Sequence, residues 1–210
     1  VSKDRVGKEA ITTIEDLASP KWEGKVCSRK GSHVYNRALL ASIIAHHGEE
    51  AAKKWTLGLV NNLARRPQGN DRAQAKAIYS GECDVALMNT YYFGKMKFNN
   101  DKPEQKNWAD AIELAFFNQA DRGQHVNISA AGIIKGSKKK DQARAFLEWL
   151  TSEEAQQIYT EVNFEYPVNP RAKLSNEVAS WGKFKMDSLS MNVIADNSPI
   201  AQRIINETGW

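Results

Sequence analysis

Tyr91 and Tyr92 stand side by side just after an apolar run, Cys83-Asp-Val-Ala-Leu-Met88, that reads as a strand stopping at Asn89-Thr90. A third tyrosine, Tyr35, falls in the first turn of a helical stretch that also follows a short strand, Gly24 to Ser28. A phenol has a pKa of about 10, so it serves as an anionic ligand at neutral pH only where something strongly favours phenolate. Helix N-termini favour an anion through unpaired N–H groups and the helix dipole. A small trivalent cation favours it far more, and phenolate suits hard Fe(III) better than softer Zn(II) or Cu(I). Pattern alone points as readily to half-buried aromatics at strand ends.

The elements that must position these rings alternate between strand and helix, the signature of a mostly parallel sheet covered by helices. In such a sheet the carboxyl ends of strands and the starts of the next helices share one edge, where ligands bind. Successive strand residues point to opposite faces, so Tyr91 and Tyr92 can act together only if the backbone has left the strand, with Thr90 as the expected N-cap. Ser32 is the expected N-cap of a helix through Leu39, Leu40, Ile43 and Ile44 that Gly48 ends. A second helix spans 49–63, and Asp71 opens a third that runs to Gly81. Residues 99–107 read as an exposed loop. Ile112 to Phe117 and Ile128 to Ile134 read as strands. Residues 141–161 read as two helices broken at Thr151-Ser152, where a capping run begins. The last helix reads as 200–207.

The chain has 210 residues, 41% hydrophobic and 26% charged, a globular composition. At 23.5 kDa, a compact fold would expose about 9,800 Å². No apolar run approaches a membrane span. With 29 basic against 25 acidic residues the net charge is +4. The one tight basic cluster, Lys138 to Lys140, reads as a solvated loop before a helix, which argues against nucleic acid as a partner. Cys27 and Cys83 show no zinc spacing; one bridge and two buried free thiols remain equal readings.

Several stretches resemble the bacterial periplasmic ferric-iron-binding proteins, the solute-binding components of iron(III) ABC importers, and in particular their tyrosine-rich, anion-independent group. They are Thr13-Ile-Glu-Asp-Leu-Ala-Ser-Pro-Lys-Trp-Glu-Gly-Lys-Val26, Val34-Tyr-Asn36, Ala64-Arg-Arg-Pro-Gln-Gly-Asn-Asp71, Met88-Asn-Thr-Tyr-Tyr-Phe-Gly94, Asn118-Gln119, Arg122-Gly123, His125-Val-Asn-Ile-Ser129 and Tyr166-Pro-Val-Asn169. The resemblance covers essentially the whole chain.

It implies an α/β, type II periplasmic-binding-protein fold, two lobes joined by a hinge of crossing strands. By the resemblance, Tyr35, Tyr91 and Tyr92 match the family's phenolate ligands for Fe(III), three negative charges against three positive. It also implies that Val1 falls well inside the family chain, so that one lobe is incomplete and a His or Tyr ligand from the opposite wall is absent. On this reading 1–115 and 170–210 form the tyrosine-bearing C-terminal lobe and 116–169 a remnant of the N-terminal lobe. The implied function is capture of ferric ion in the periplasm and its delivery, by a monomer that catalyses nothing, to an inner-membrane ABC permease.

Other candidates carry simpler readings. His33, two residues before Tyr35, reads as a loop histidine, and His46 and His47 suit a helix C-terminus. His125 and Arg122 fit structural hydrogen bonding in a turn. Arg29 fits equally a balance to phenolate charge or a surface salt bridge. Asn36 and Asn89 fit turns. The alternatives to iron are another solute, such as a small anion at the same helix N-termini, or an enzyme with a tyrosine general base. No nucleophile triad, phosphate loop or HExxH pattern supports the enzyme.

Overall fold

A computed structural model describes residues 1–210. Contacts divide the chain into two compact units, Val1–Asn89 with Met96–Asn127 and Phe184–Trp210, and Thr90–Lys95 with Ile128–Lys183.

The first unit is built on two short strands, β1 (Val26–Cys27) and β2 (Val85–Ala86), paired in parallel with Val26 opposite Val85 and Cys27 opposite Ala86. Its helices are α1 (Val34–His47), α2 (Glu49–Asn61) and α3 (Asp71–Tyr79). α4 (Tyr91–Lys97) is divided, its residues to Lys95 going with the second unit and Met96 and Lys97 with the first, and α5 (Glu104–Asp110) belongs to the first. The second unit carries α6 (Lys140–Leu150), α7 (Glu153–Ile158), continued by a π-turn over Tyr159–Asn163, and α8 (Asn176–Ser180). α9 (Met191–Thr208) returns to the first unit. No helix is long and apolar enough to cross a membrane.

α1 is apolar around much of its circumference, and six successive residues, Leu39 to Ile44, are buried, as expected of a central helix. α2 and α9 pack beside it, so that Leu40, Ile43, Leu59, Ala201, Ile204 and Trp210 share one core with Val26 and Val85 of the strands. Gly58 permits a close approach: a Cβ there would sit 2.7 Å from that of Ala18. Thr13 begins the short 3-10 helix Ile14–Ala18 with a capping box to Asp16. Cys27 and Cys83 form a disulfide, Cα–Cα 5.9 Å, with no free cysteine left. The bridge joins β1 to the residues just before β2.

The second unit is less well filled. Its buried residues include Ala155, Thr160 and Val178, but α6 buries none, and Phe146 and Trp149 stack on each other at 5.8 Å in partial exposure. Ser152 caps α7 by accepting from the Ala155 N–H at 3.2 Å, the break expected between two helices. Gly94 has no room for a side chain, because a Cβ would meet the Phe164 ring at 2.4 Å.

Several expectations are corrected. His33, not Ser32, caps α1. Residues 112–117 and 128–134 form no strands: Ile112 makes one isolated bridge, to Ser2, because a ladder exists only where a neighbour supplies its hydrogen bonds. The polar 99–107 segment contains the start of α5, entered through Pro103, whose fixed φ suits a helix start. α9 begins nine residues before the expected Ile200; Pro199 lies inside it and looks locally like a stop. Contacts divide the chain at 127/128 and 183/184, with Thr90–Lys95 in the second unit. Phe116 stacks on Phe184 at 4.9 Å, and Gln124 exchanges backbone hydrogen bonds with Lys185 and Asp187. Within the second unit, the Ser175 N–H donates to Thr160 Oγ1 at 3.2 Å. The exposed surface is 11705 Å², above the roughly 9,800 Å² of a compact chain this size; the exposed Ile134, Val162 and Val168 of the second unit contribute to the difference.

Thiol counting under denaturing, non-reducing conditions is expected to find no free thiol. Replacing both cysteines by serine should lower stability by about 4 kcal/mol in the chain-entropy picture, measured by urea unfolding. A variant as stable as the parent would contradict the constraint assigned to this bridge.

Candidate functional site

Because β1 and β2 are parallel, the chain leaves both at the same edge of the pair. After β1 it forms the loop Ser28–His33 and enters α1, whose second residue is Tyr35. After β2 it passes Leu87 to Thr90 and enters α4, whose first two residues are Tyr91 and Tyr92. The backbone has left the strand before these tyrosines, which is the condition their cooperation requires. Their half-buried rings stack, centroids 4.2 Å apart at 29°, and Lys95 Nζ lies 5.2 Å from the Tyr91 ring centre.

The loop before Tyr35 is held by buried hydrogen bonds. Ser28 is fully buried; its Oγ accepts from Asn36 Nδ2 at 3.1 Å and from Trp210 Nε1 at 3.0 Å, and donates to the Arg29 carbonyl at 2.8 Å. Asn36 Nδ2 also reaches the carbonyls of Arg29 and Lys30, at 3.0 and 3.4 Å. Asn36 is therefore a loop former, as its type suggests. The Gly31 N–H donates to the Trp210 carbonyl at 3.0 Å, and a Cβ on Gly31 would lie 2.8 Å from the Trp210 ring.

Around Tyr35 stand His33, with ring centroids 4.4 Å apart in an edge contact, and Arg29, whose guanidinium carbon is 5.3 Å from the ring centre. His33 Nδ1 accepts from the Tyr35 N–H at 3.4 Å. Burial, followed by the charge of Arg29, lowers the His33 pKa, which favours the neutral ring this cap needs. Arg29 forms an ion pair with Asp71, the first residue of α3, whose side chain is 1% exposed. The other carboxylate oxygen, Asp71 Oδ1, accepts from the Asn89 N–H at 2.9 Å. Asn89 Oδ1 in turn accepts from Asn127 Nδ2 at 3.0 Å. Sequence alone marks Asp71 as a helix start; nothing local signals that its carboxylate links the loop after β1 to the segment after β2.

The remaining candidates take structural parts. His46 pairs with Asp187 at 2.7 Å, and His47 with Glu15 at 2.9 Å. Arg122 also binds Glu15, which is further held by Asn118. His125 Nε2 is buried without a partner; burial pushes the imidazole down to about 4, against the opposing Asn127 hydrogen bond and Asp187 charge. Tyr166 is pushed up to about 12 by burial, and its hydroxyl donates to the Gly182 carbonyl at 3.3 Å. No three His, Cys, Asp or Glu side chains gather as a metal-binding group. A groove of about 450 Å³ between α3 and α5, with Lys76 over Trp108, is lined by none of the three tyrosines.

Residues 1–188 match the family described as bacterial extracellular solute-binding protein. The chain belongs to that family. It is 43% identical over 209 residues to iron uptake protein A1 of Synechocystis, covering 100% of this chain and 58% of that protein. It is 29% identical over 202 residues to the major ferric iron-binding protein of Neisseria meningitidis, covering 96% of this chain and 58% of the other. Among solved structures, the Trichodesmium protein FutA in complex with iron and citrate aligns with TM-score 0.95 and 41% identity over 100% of this chain and 66% of that one. Apo ferric ion-binding protein A of Pasteurella haemolytica aligns with TM-score 0.92 and 43% identity, over 99% and 64%. The fold is thus the type II solute-binding fold expected from the resemblance, and this chain spans about three-fifths of its curated relatives.

Gly31→Ala should destabilise the chain by roughly 1–3 kcal/mol through the clash with Trp210, measured by urea unfolding; unchanged stability would remove Trp210 as a clamp on the Tyr35 loop. His125 gives a pH dependence. The folded pKa of about 4 lies below the ordinary 6.5, so the unfolded chain binds the proton first and stability is lost as pH falls from 6.5 towards 4. His125→Gln should flatten the slope of unfolding free energy in that window, and an unaltered slope would refute the assignment.

Proposed function

We propose that this protein captures Fe(III) through the phenolates of Tyr35, Tyr91 and Tyr92, as the solute-binding component of an importer. The observation that carries the reading is the placement of these tyrosines. Each opens a helix that follows one of two parallel strands, where the backbone N–H groups at the helix start and the adjacent cations, Arg29 and Lys95, favour negative charge. Hard anionic oxygens are the donors a hard trivalent cation selects. The names of the relatives, an iron uptake protein and a ferric iron-binding protein, support iron as the cargo, and the iron and citrate complex of the Trichodesmium protein supports a site able to hold it.

The metal is cargo, so the protein's task is to bind and release it, with no bond of the solute made or broken. Three phenolates neutralise Fe(III), and the protein needs no bound anion to balance the charge. Delivery is to an ABC permease, in the periplasm, by a monomer. The name of a Serratia marcescens relative, Fe(3+)-binding periplasmic protein, supports that compartment. The reading carries with it a tyrosine-bearing C-terminal lobe, 1–115 with 170–210, and an N-terminal lobe remnant, 116–169; by contacts Tyr35 lies in the first compact unit, and Tyr91 and Tyr92 in the second.

Adding ferric citrate to the protein should produce a visible phenolate-to-iron charge-transfer band. Tyr92→Phe should retain the fold and lose most of that band, together with about 10-fold or more of the affinity measured against a competing chelator. A colourless wild-type protein, or a Tyr92→Phe protein that binds and colours as wild type does, would overturn the reading.

A further inference from the structure

Asp71 is a buried carboxylate outside the hydrophobic core, and the three tyrosines alone leave it without a purpose. Its two oxygens are divided between two segments. One pairs with Arg29, 42 positions earlier in the chain, in the loop that leads to Tyr35. The other accepts the backbone N–H of Asn89, 18 positions later, directly before Thr90-Tyr91-Tyr92. Arg29 is itself mostly buried, with 14% of its side chain exposed, and its guanidinium faces the Tyr35 ring.

A buried ion pair is a poor means of gaining stability, because desolvation of both charges offsets most of their attraction. It is a good means of fixing geometry, since charge-assisted hydrogen bonds are short and directional. As the first residue of α3, Asp71 also sits favourably in the helix dipole, but any exposed acidic side chain would satisfy that. Its burial and its two separate partners require a further explanation.

We infer that Asp71 is a positioning residue for the proposed tyrosine ligands: its carboxylate holds Arg29 against Tyr35 and anchors the Asn89 N–H, so that the loop leading to Tyr35 and the segment ending at Asn89 leave their strands at a set spacing. The inference rests on the phenolate reading above and adds to it a residue that touches no metal. Arg29 is the arm of this device. Paired with Asp71, the guanidinium stays beside the Tyr35 ring and mostly out of solvent.

The test is iron titration of the protein and its variants against a competing chelator, with the charge-transfer band recorded for each. Asp71→Asn keeps the shape and an acceptor for Asn89 but releases Arg29. It is expected to bind iron about 10–100-fold more weakly and to shift the band, because Tyr35 loses its fixed neighbour. Asp71→Glu keeps the charge and the helix-dipole benefit but cannot place its longer side chain on both partners, and is expected to be impaired as well. Arg29→Met should reproduce the Asp71→Asn spectrum. The double variant Arg29→Met/Asp71→Asn should lose less than the product of the single losses, as two residues acting as one unit do.

An Asp71→Asn protein with unchanged band and affinity would overturn the inference, as would single losses that multiply in the double variant. If Asp71→Asn does not fold, Arg29→Gln carries the test, and an unchanged band and affinity there would overturn it equally. A wild-type protein that takes up no colour defeats the phenolate reading itself. A coloured wild type with an indistinguishable Asp71→Asn defeats only the role of Asp71.

Discussion

The parallel pairing of β1 with β2 is the constraint on which the arrangement of the first unit depends. Antiparallel neighbours would deliver their following loops to opposite edges. Parallel ones send both to the same edge, and the two segments that lead to Tyr35 and to Tyr91 leave from there. The pair is only two residues long in each strand, too short for its hydrogen bonds to hold it alone. The Cys27–Cys83 disulfide adds a covalent tie where Cys27 ends β1, and Val26 and Val85 are buried against α1 and α9.

Polar groups carry the precision that the apolar core does not. Core packing of α1, α2 and α9 places the start of α1 to within the tolerance of interlocking side chains. The loop between β1 and α1 has few apolar residues, and its backbone must be satisfied another way. Ser28, Asn36 and Trp210 satisfy it, joined through one hydroxyl. Asp71 then extends the network to Asn89 and, through it, to Asn127. Burial makes the bonds at the Ser28 hydroxyl stronger than in water and makes a missing partner there costly.

The second unit shows the other side of that balance. Ser152 and Ser175 cap α7 and α8, but α6 has no side-chain cap and no fully buried residue, and several large aliphatic side chains face solvent. Its order rests on local signals such as the Ser152 and Ser175 caps and on a small cluster of contacts among Phe93, Tyr166 and Trp181. The close contact of Gly94 with Phe164 brings the start of α4 onto this cluster.

Local signals in the sequence were enough for the α/β alternation, the break at Ser152, the position of each tyrosine at a helix start, and three helices, expected from Ser32 to Gly48, over 49–63 and from Asp71 to Gly81 and found at 34–47, 49–61 and 71–79. These follow from signals that act within a few residues: apolar periodicity, caps and the glycines that end helices. The motifs also carried the family resemblance, because residue order survives where no contact is visible. Tertiary structure decided what depends on distant partners. Whether Cys27 meets Cys83 depended on the register of β1 against β2. Whether Ile112 to Phe117 and Ile128 to Ile134 were strands depended on neighbours able to pair with them. Asp71 looked like any helix start until folding brought Arg29 and Asn89 to its two oxygens, and Trp210 lies 182 positions from the Ser28 hydroxyl it binds. A local pattern states what a residue can do, and only the folded chain supplies the charge or hydrogen-bonding group that makes it do so.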